Sequence, residues 1–130
     1  METRCMKIKL RSGSEPRVAA WAAELNRKRE EVIQTLKAEG VVIESVFLDH
    51  QADGDYLIYF MRSGNFENAH RVASRSTSTI DEYHRAFKND CWESRSMLRS
   101  LVDFETEASL HNSCRPCGKS RGIPVVSVIC

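Results

Sequence analysis

From Cys5 to Leu10 apolar and polar positions alternate, with Met6, Ile8 and Leu10 on one side and Cys5, Lys7 and Lys9 on the other. That period of two is the mark of a half-buried strand. Ser12-Gly13-Ser14 interrupts it, with Ser14 placed to cap a helix and Pro16 in a first turn, where a missing N–H costs nothing. Val18, Ala22, Leu25, Val32 and Leu36 then recur at helical steps, with Arg29 as a gap in the stripe, and Gly40 stands where a left-handed cap is wanted. The spacing predicts one helix over 15–39.

Val41 to Leu48 is β-branched and apolar, and Tyr56-Leu57-Ile58-Tyr59-Phe60-Met61 follows an Asp53-Gly54 turn, which predicts a hairpin. A short helix is expected over 66–73, broken by the polar run Ser74 to Ser78. Thr79-Ile80-Asp81-Glu82 has the form of a capping box, and Ile80, Tyr83 or His84, Phe87 and Cys91 share a helical face. Alternation returns over 96–105, with Leu98, Ser100, Val102 and Phe104 opposite Met97, Arg99 and Leu101, and predicts the last strand there. Strand, helix, hairpin, helix, strand is the split βαβ order, an α+β domain with a four-stranded antiparallel sheet and its helices on one face. Val41, Ile43, Phe47, Leu57, Tyr59 and Leu101 cannot all lie beneath the helices, so the open sheet face is also expected to be partly apolar and to form a homodimer interface.

With 130 residues, 42% of them hydrophobic, the chain suits one core, and a domain over 1–110 with a tail over 111–130 is expected. Nineteen Lys and Arg against eighteen Asp and Glu give a net charge of +1, so no overall field draws in nucleic acid or an acidic membrane. The hairpin tyrosines also lack the basic neighbours of an RNA-stacking platform. No stretch reaches the roughly 20 apolar residues of a membrane span, and the first ten residues lack the apolar centre of a secretory signal. Five cysteines without framework spacing fit a reducing compartment, so a cytoplasmic protein is expected.

Phe47-Leu48-Asp49, Asp53-Gly54-Asp55-Tyr56-Leu57-Ile58-Tyr59, Ile80-Asp81-x-Tyr83-His84-x-x-Phe87, Cys91-Trp92 and Asp103-Phe104-Glu105 together resemble the dimeric α/β-barrel superfamily of ferredoxin-like units. Within it the chain is similar to an uncharacterised bacterial family. The resemblance implies a ferredoxin-like fold and two units packed sheet to sheet. It also implies a superfamily that includes cofactor-independent monooxygenases, small-ligand isomerases, polyketide cyclases and haem degraders. Fold alone does not choose among these activities.

His84 beside Tyr83 is the leading candidate for chemistry, with Asp49, His50, Tyr56 and Tyr59 brought by the hairpin. An imidazole near phenols supports acid–base work on a small phenolic or carbonyl compound. The competing reading makes Tyr83 part of the core and leaves His84 on the helix edge, in a dimerisation module without a ligand. His50, His70 and His84 lie on three elements without paired spacing, so neither a metal nor a cofactor is expected. The tail holds His111, Cys114, Cys117 and Cys130, without the second close pair of a zinc knuckle. Gly118-Lys119-Ser120 is no phosphate loop, because Ser113 occupies the place of the earlier glycine. In composition the tail resembles the read-through ends of integron cassette proteins.

Overall fold

The computed structural model describes residues 1–106, so the tail and its cassette-like composition lie outside the described residues. The elements are β1 (Glu2–Leu10), α1 (Glu15–Arg27), α2 (Arg29–Glu39), β2 (Val41–Gln51), β3 (Gly54–Ser63), α3 (Phe66–Arg75), α4 (Thr79–Cys91) and β4 (Trp92–Leu98). The strands form one antiparallel sheet in the order β2-β3-β1-β4. Among the described residues no helix is long and apolar enough to cross a membrane.

Register sorts the side chains. Met6 pairs with Tyr59 and Ile8 with Leu57, which puts the apolar set of β1 and the buried set of β3 on one face. Val46 pairs with Tyr59 and Glu44 with Met61, which continues that face onto β2. There Ile8, Leu57 and Tyr59 meet Val18 and Trp21 of α1 and Phe87 and Cys91 of α4 in a single core. Trp21 lies flat on Phe87, with ring centroids 4.4 Å apart and planes 8° from parallel. The opposite face carries Lys7 over the Tyr56 ring at 4.4 Å, together with Ile43 and Phe47, the latter 60% exposed.

Three boundaries differ from expectation. The long helix is two, bent at Lys28, where ψ turns to 32°. Helix α1 packs on α4 whereas α2 packs on α3 and β2, so the two halves seek different surfaces and part beside Arg29, where no apolar side chain holds the line. Gly40 does end α2 in the left-handed region at φ 74°. The cap of α4 is Ser78, whose oxygen accepts from the Asp81 N–H at 3.2 Å, one residue before the expected box. The last strand is Trp92–Leu98 instead of 96–105. It starts directly from α4 and pairs with β1 from Leu10↔Trp92 to Cys5↔Leu98. Polar Glu93, Ser94, Arg95 and Ser96 hide it in the sequence, a composition proper to an edge strand. Beyond it Leu101, Val102 and Phe104 stand in solvent, while Glu105 accepts from Arg62 at 3.1 Å.

Candidate functional site

Helix α2 has no fully buried residue. Its apolar side, with Val32, Ile33 and Leu36, borders a cleft of about 880 Å³ enclosed by α1, α3, α4 and the helix-side face of β2 and β3. The helix packs on α3 and β2 without burying a side chain fully, and the space it borders is lined with charge. From α4 come Asp81, His84 and Lys88, which steps of three and four residues place along one side of the helix. Glu39 enters from the end of α2 and Glu44 from β2.

His84 is fixed by Trp21, whose indole Nε1 donates to the imidazole Nδ1 at 3.1 Å. Burial lowers its pKa to about 4, with Lys88 adding to the effect and Asp81 opposing it. The ring is therefore neutral at ordinary pH. Because Nδ1 accepts a hydrogen bond, the ring proton sits on Nε2, which is left as a donor. Glu39 is pushed up to about 7 by burial, then by the carboxylates of Asp81 and Glu44, against the pull of Lys88. Burial raises Glu44 as well, with Lys88 opposing and Asp81 adding. Lys88 is lowered by burial and by Arg95 and Arg85, while Glu44 and Glu39 hold it up. The cleft thus combines a neutral nitrogen donor with Glu39, a carboxyl group that exchanges its proton near neutrality, and with Glu44, whose pKa burial also raises, the pairing from which acid–base chemistry is built.

A model of a family described as "Family of unknown function (DUF6176)" matches residues 1–114. The chain belongs to this family. No curated protein matches it. Among solved structures it is similar to the L-rhamnose mutarotase FA22100 from Formosa agariphila, with a TM-score of 0.56 and 20% identity over 81% of this chain and 100% of that one. This likeness shows the fold: the ferredoxin-like α+β arrangement that the sequence resemblance implied.

Within this DUF6176 chain the sequence candidates separate. His84 and Tyr59 come together, with ring centroids 6.4 Å apart, though Tyr59 is buried beneath the cleft floor. Tyr83 packs part-buried against the core outside the cleft lining, and His84 faces the cleft instead of lying on the helix edge. The helix phase decides this, because α4 presents Ile80, His84 and Phe87 to Trp21 and the sheet. Asp49, His50 and Tyr56 stand at the turn end of the hairpin, away from the cleft lining. His50 Nδ1 lies 2.7 Å from Asp55 Oδ1, and the Tyr56 hydroxyl donates to Asp53 at 2.7 Å. His70 lines the cleft with His84, and among the described residues no group of metal ligands forms.

The sequence reading passed over Trp21, Glu39, Glu44 and Lys88. Glu44 carried a usable signal, since it is the one charge in the apolar run Val41 to Leu48 and shares the inward phase of Val46. Trp21, Glu39 and Lys88 carried none, being ordinary members of helical sequences.

Proposed function

We propose that the cleft binds a small, neutral, oxygen-rich organic molecule and moves protons on it with its own side chains. What carries this reading is His84, kept neutral by burial and oriented by Trp21 with its Nε2–H available, in a cleft that also holds Glu44 and Glu39 as weakened acids. In this reading the Nε2–H hydrogen-bonds to a ligand oxygen, a carboxyl group of the pair exchanges the proton, and Lys88 steadies negative charge as it develops. Arg29, Arg85 and Lys88 are balanced by Glu39, Glu44 and Asp81 around the cleft, and Arg85 is already engaged by the Ser76 carbonyl. Glu39 and Glu44 are weakened acids, so this balance holds on the alkaline side of their titration, where it favours a neutral ligand over an anion.

Opening a cyclic hemiacetal is one reaction that such a site suits, because one group must take the hydroxyl proton while another supplies a proton to the ring oxygen. The fold likeness to an L-rhamnose mutarotase makes L-rhamnose the first compound to test. Saturation-transfer NMR of its anomers should show exchange accelerated by the protein. Glu44→Gln and His84→Ala should each reduce that acceleration by about 10²–10⁴-fold. An exchange rate equal to that in buffer, together with no binding of any reducing sugar or hydroxy-carbonyl compound, would leave the dimerisation module as the better account.

The same proposal includes a homodimer through the open sheet face, supported by exposed Ile43 and Phe47 and by Leu101, Val102 and Phe104 beyond the last strand. Light scattering at micromolar concentration should give twice the 14.8 kDa chain mass, and a monomer there would count against it.

A further inference from the structure

Two buried polar atoms lie behind the cleft without a hydrogen-bond partner among the described residues, the Tyr59 hydroxyl and the Trp92 Nε1–H. Tyr59 is only 2% exposed. The two rings meet edge to face at 5.4 Å. The indole N–H comes near enough to the phenol to favour its ionised form slightly, yet no hydrogen bond closes between them. Glu44 presents its charge to the same hydroxyl, and the Lys88 ammonium lies 5.4 Å over the Trp92 ring. Glu44 and Lys88 both line the cleft, so the orphaned pair sits directly behind two cleft side chains.

Buried polar atoms are seldom left unmatched, so two side by side call for an explanation. The partner they need can be described. Trp92 Nε1 is a donor only, so the incoming atom must accept. Glu44 is an acceptor when ionised, so the same atom must also donate. With Glu44 ionised, a carbonyl oxygen fails the second demand, an ammonium fails the first, and an anion is repelled. A neutral hydroxyl satisfies all three groups at once.

Resting on the small-molecule reading above, we propose that Tyr59, Trp92 and Glu44 form a hydroxyl-binding subsite at the inner end of the cleft. The ligand is then a neutral polyhydroxylated compound, with one hydroxyl passing between Lys88 and Glu44 and another oxygen meeting His84 Nε2–H. A bound water offers the same chemistry as the ligand hydroxyl, and the experiment must separate the two.

The chain has two tryptophans, and they provide two reporters. Trp21 is bonded to His84 and reads the cleft, while Trp92 reads the subsite. Indole N–H resonances of the ¹⁵N-labelled full chain are followed during titration with L-rhamnose, glycerol, tetrahydropyran and inorganic phosphate. Both indole signals should shift with L-rhamnose or glycerol at one dissociation constant, and Trp92 should ignore tetrahydropyran and phosphate. Tyr59→Phe, which keeps the ring, should weaken the polyol about tenfold while Trp21 still responds. If that variant fails to fold, Trp92→Phe read through Trp21 gives the same comparison. A response from Trp21 alone would overturn the subsite and leave the cleft reading standing. Silence from both indoles with every probe would overturn both. A Trp92 N–H whose cross-peak to a bound water persists through every titration would show a water site only and would also overturn the proposal.

Discussion

Trp21→Ala is expected to lower stability by about 3–5 kcal/mol, the range for emptying an aromatic site in a packed core. Trp21 is 3% exposed and stacks on Phe87, and it is the donor to His84 Nδ1. The substitution therefore opens a cavity and orphans a buried imidazole nitrogen at the same time. Trp21→Phe separates the two effects, because it keeps most of the stacking and removes the donor. That variant should cost about 1–3 kcal/mol, the range for leaving one buried polar atom unmatched. It should also raise the His84 pKa, since the lost bond favours the neutral ring. Denaturant unfolding reads the first quantity and histidine ring NMR the second. A Trp21→Phe protein with unchanged stability and unchanged His84 titration would show that the indole–imidazole bond holds nothing.

The second large effect is expected in the dependence of stability on pH, where two groups oppose each other. His84 titrates near 6.5 in an unfolded chain and at about 4 in the fold, so between these values the unfolded chain holds more protons. Stability from His84 is complete above pH 6.5 and falls as the pH drops through 4, a change of about 3 kcal/mol. Glu39 goes the other way, from 4.5 in its unperturbed state to about 7. The folded chain holds more protons there, so its stabilisation is present at low pH and is lost as the pH rises through 7. Glu44 follows Glu39 in sign. The groups that set these values are Asp81 and Lys88 of α4, Glu39 of α2 and Glu44 of β2. With Glu44 adding to Glu39, the wild-type melting temperature should fall as the pH rises from 4.5 to 6.5. Glu39→Gln should weaken that fall, and His84→Gln should steepen it over the same window. If both variants keep the wild-type profile, neither group is held as described.

The elements that follow one period were legible. The alternation of Met6, Ile8 and Leu10 and the Asp53-Gly54 hairpin appear where they were expected, because one partner surface decides each of them. The bend at Lys28 was hidden, since a helix that serves two surfaces keeps its 3.6 period on both sides of the break. The last strand was misplaced because an edge strand needs little apolar content, while the alternation of 99–105 belongs to residues outside the sheet. At the candidate site the sequence leaves Tyr83 and His84 open as the inward residue, for adjacent helical residues differ by about 100° and either fits the stripe of Ile80 and Phe87. Hairpin residues such as Asp49 and Tyr56 join it in the sequence reading because the hairpin that carries Tyr59 also carries them. The register sends them to the turn and the open face, a placement that pairing alone decides.

The loose attachment of α2, which has no fully buried residue, has a consequence for how such a chain can change. Val32, Ile33 and Leu36 form a wall of the cleft, yet none is part of the core that joins α1, α4 and the sheet. Replacing them reshapes the chamber without touching Ile8, Trp21, Leu57 or Phe87. Folding and recognition are thereby entrusted to different residues, so related chains could drift towards new ligands through one helix while the scaffold stays under its own constraint. The same loose attachment makes α2 the segment whose amides should open first, since an element anchored by few buried contacts belongs to the low-stability end of a domain.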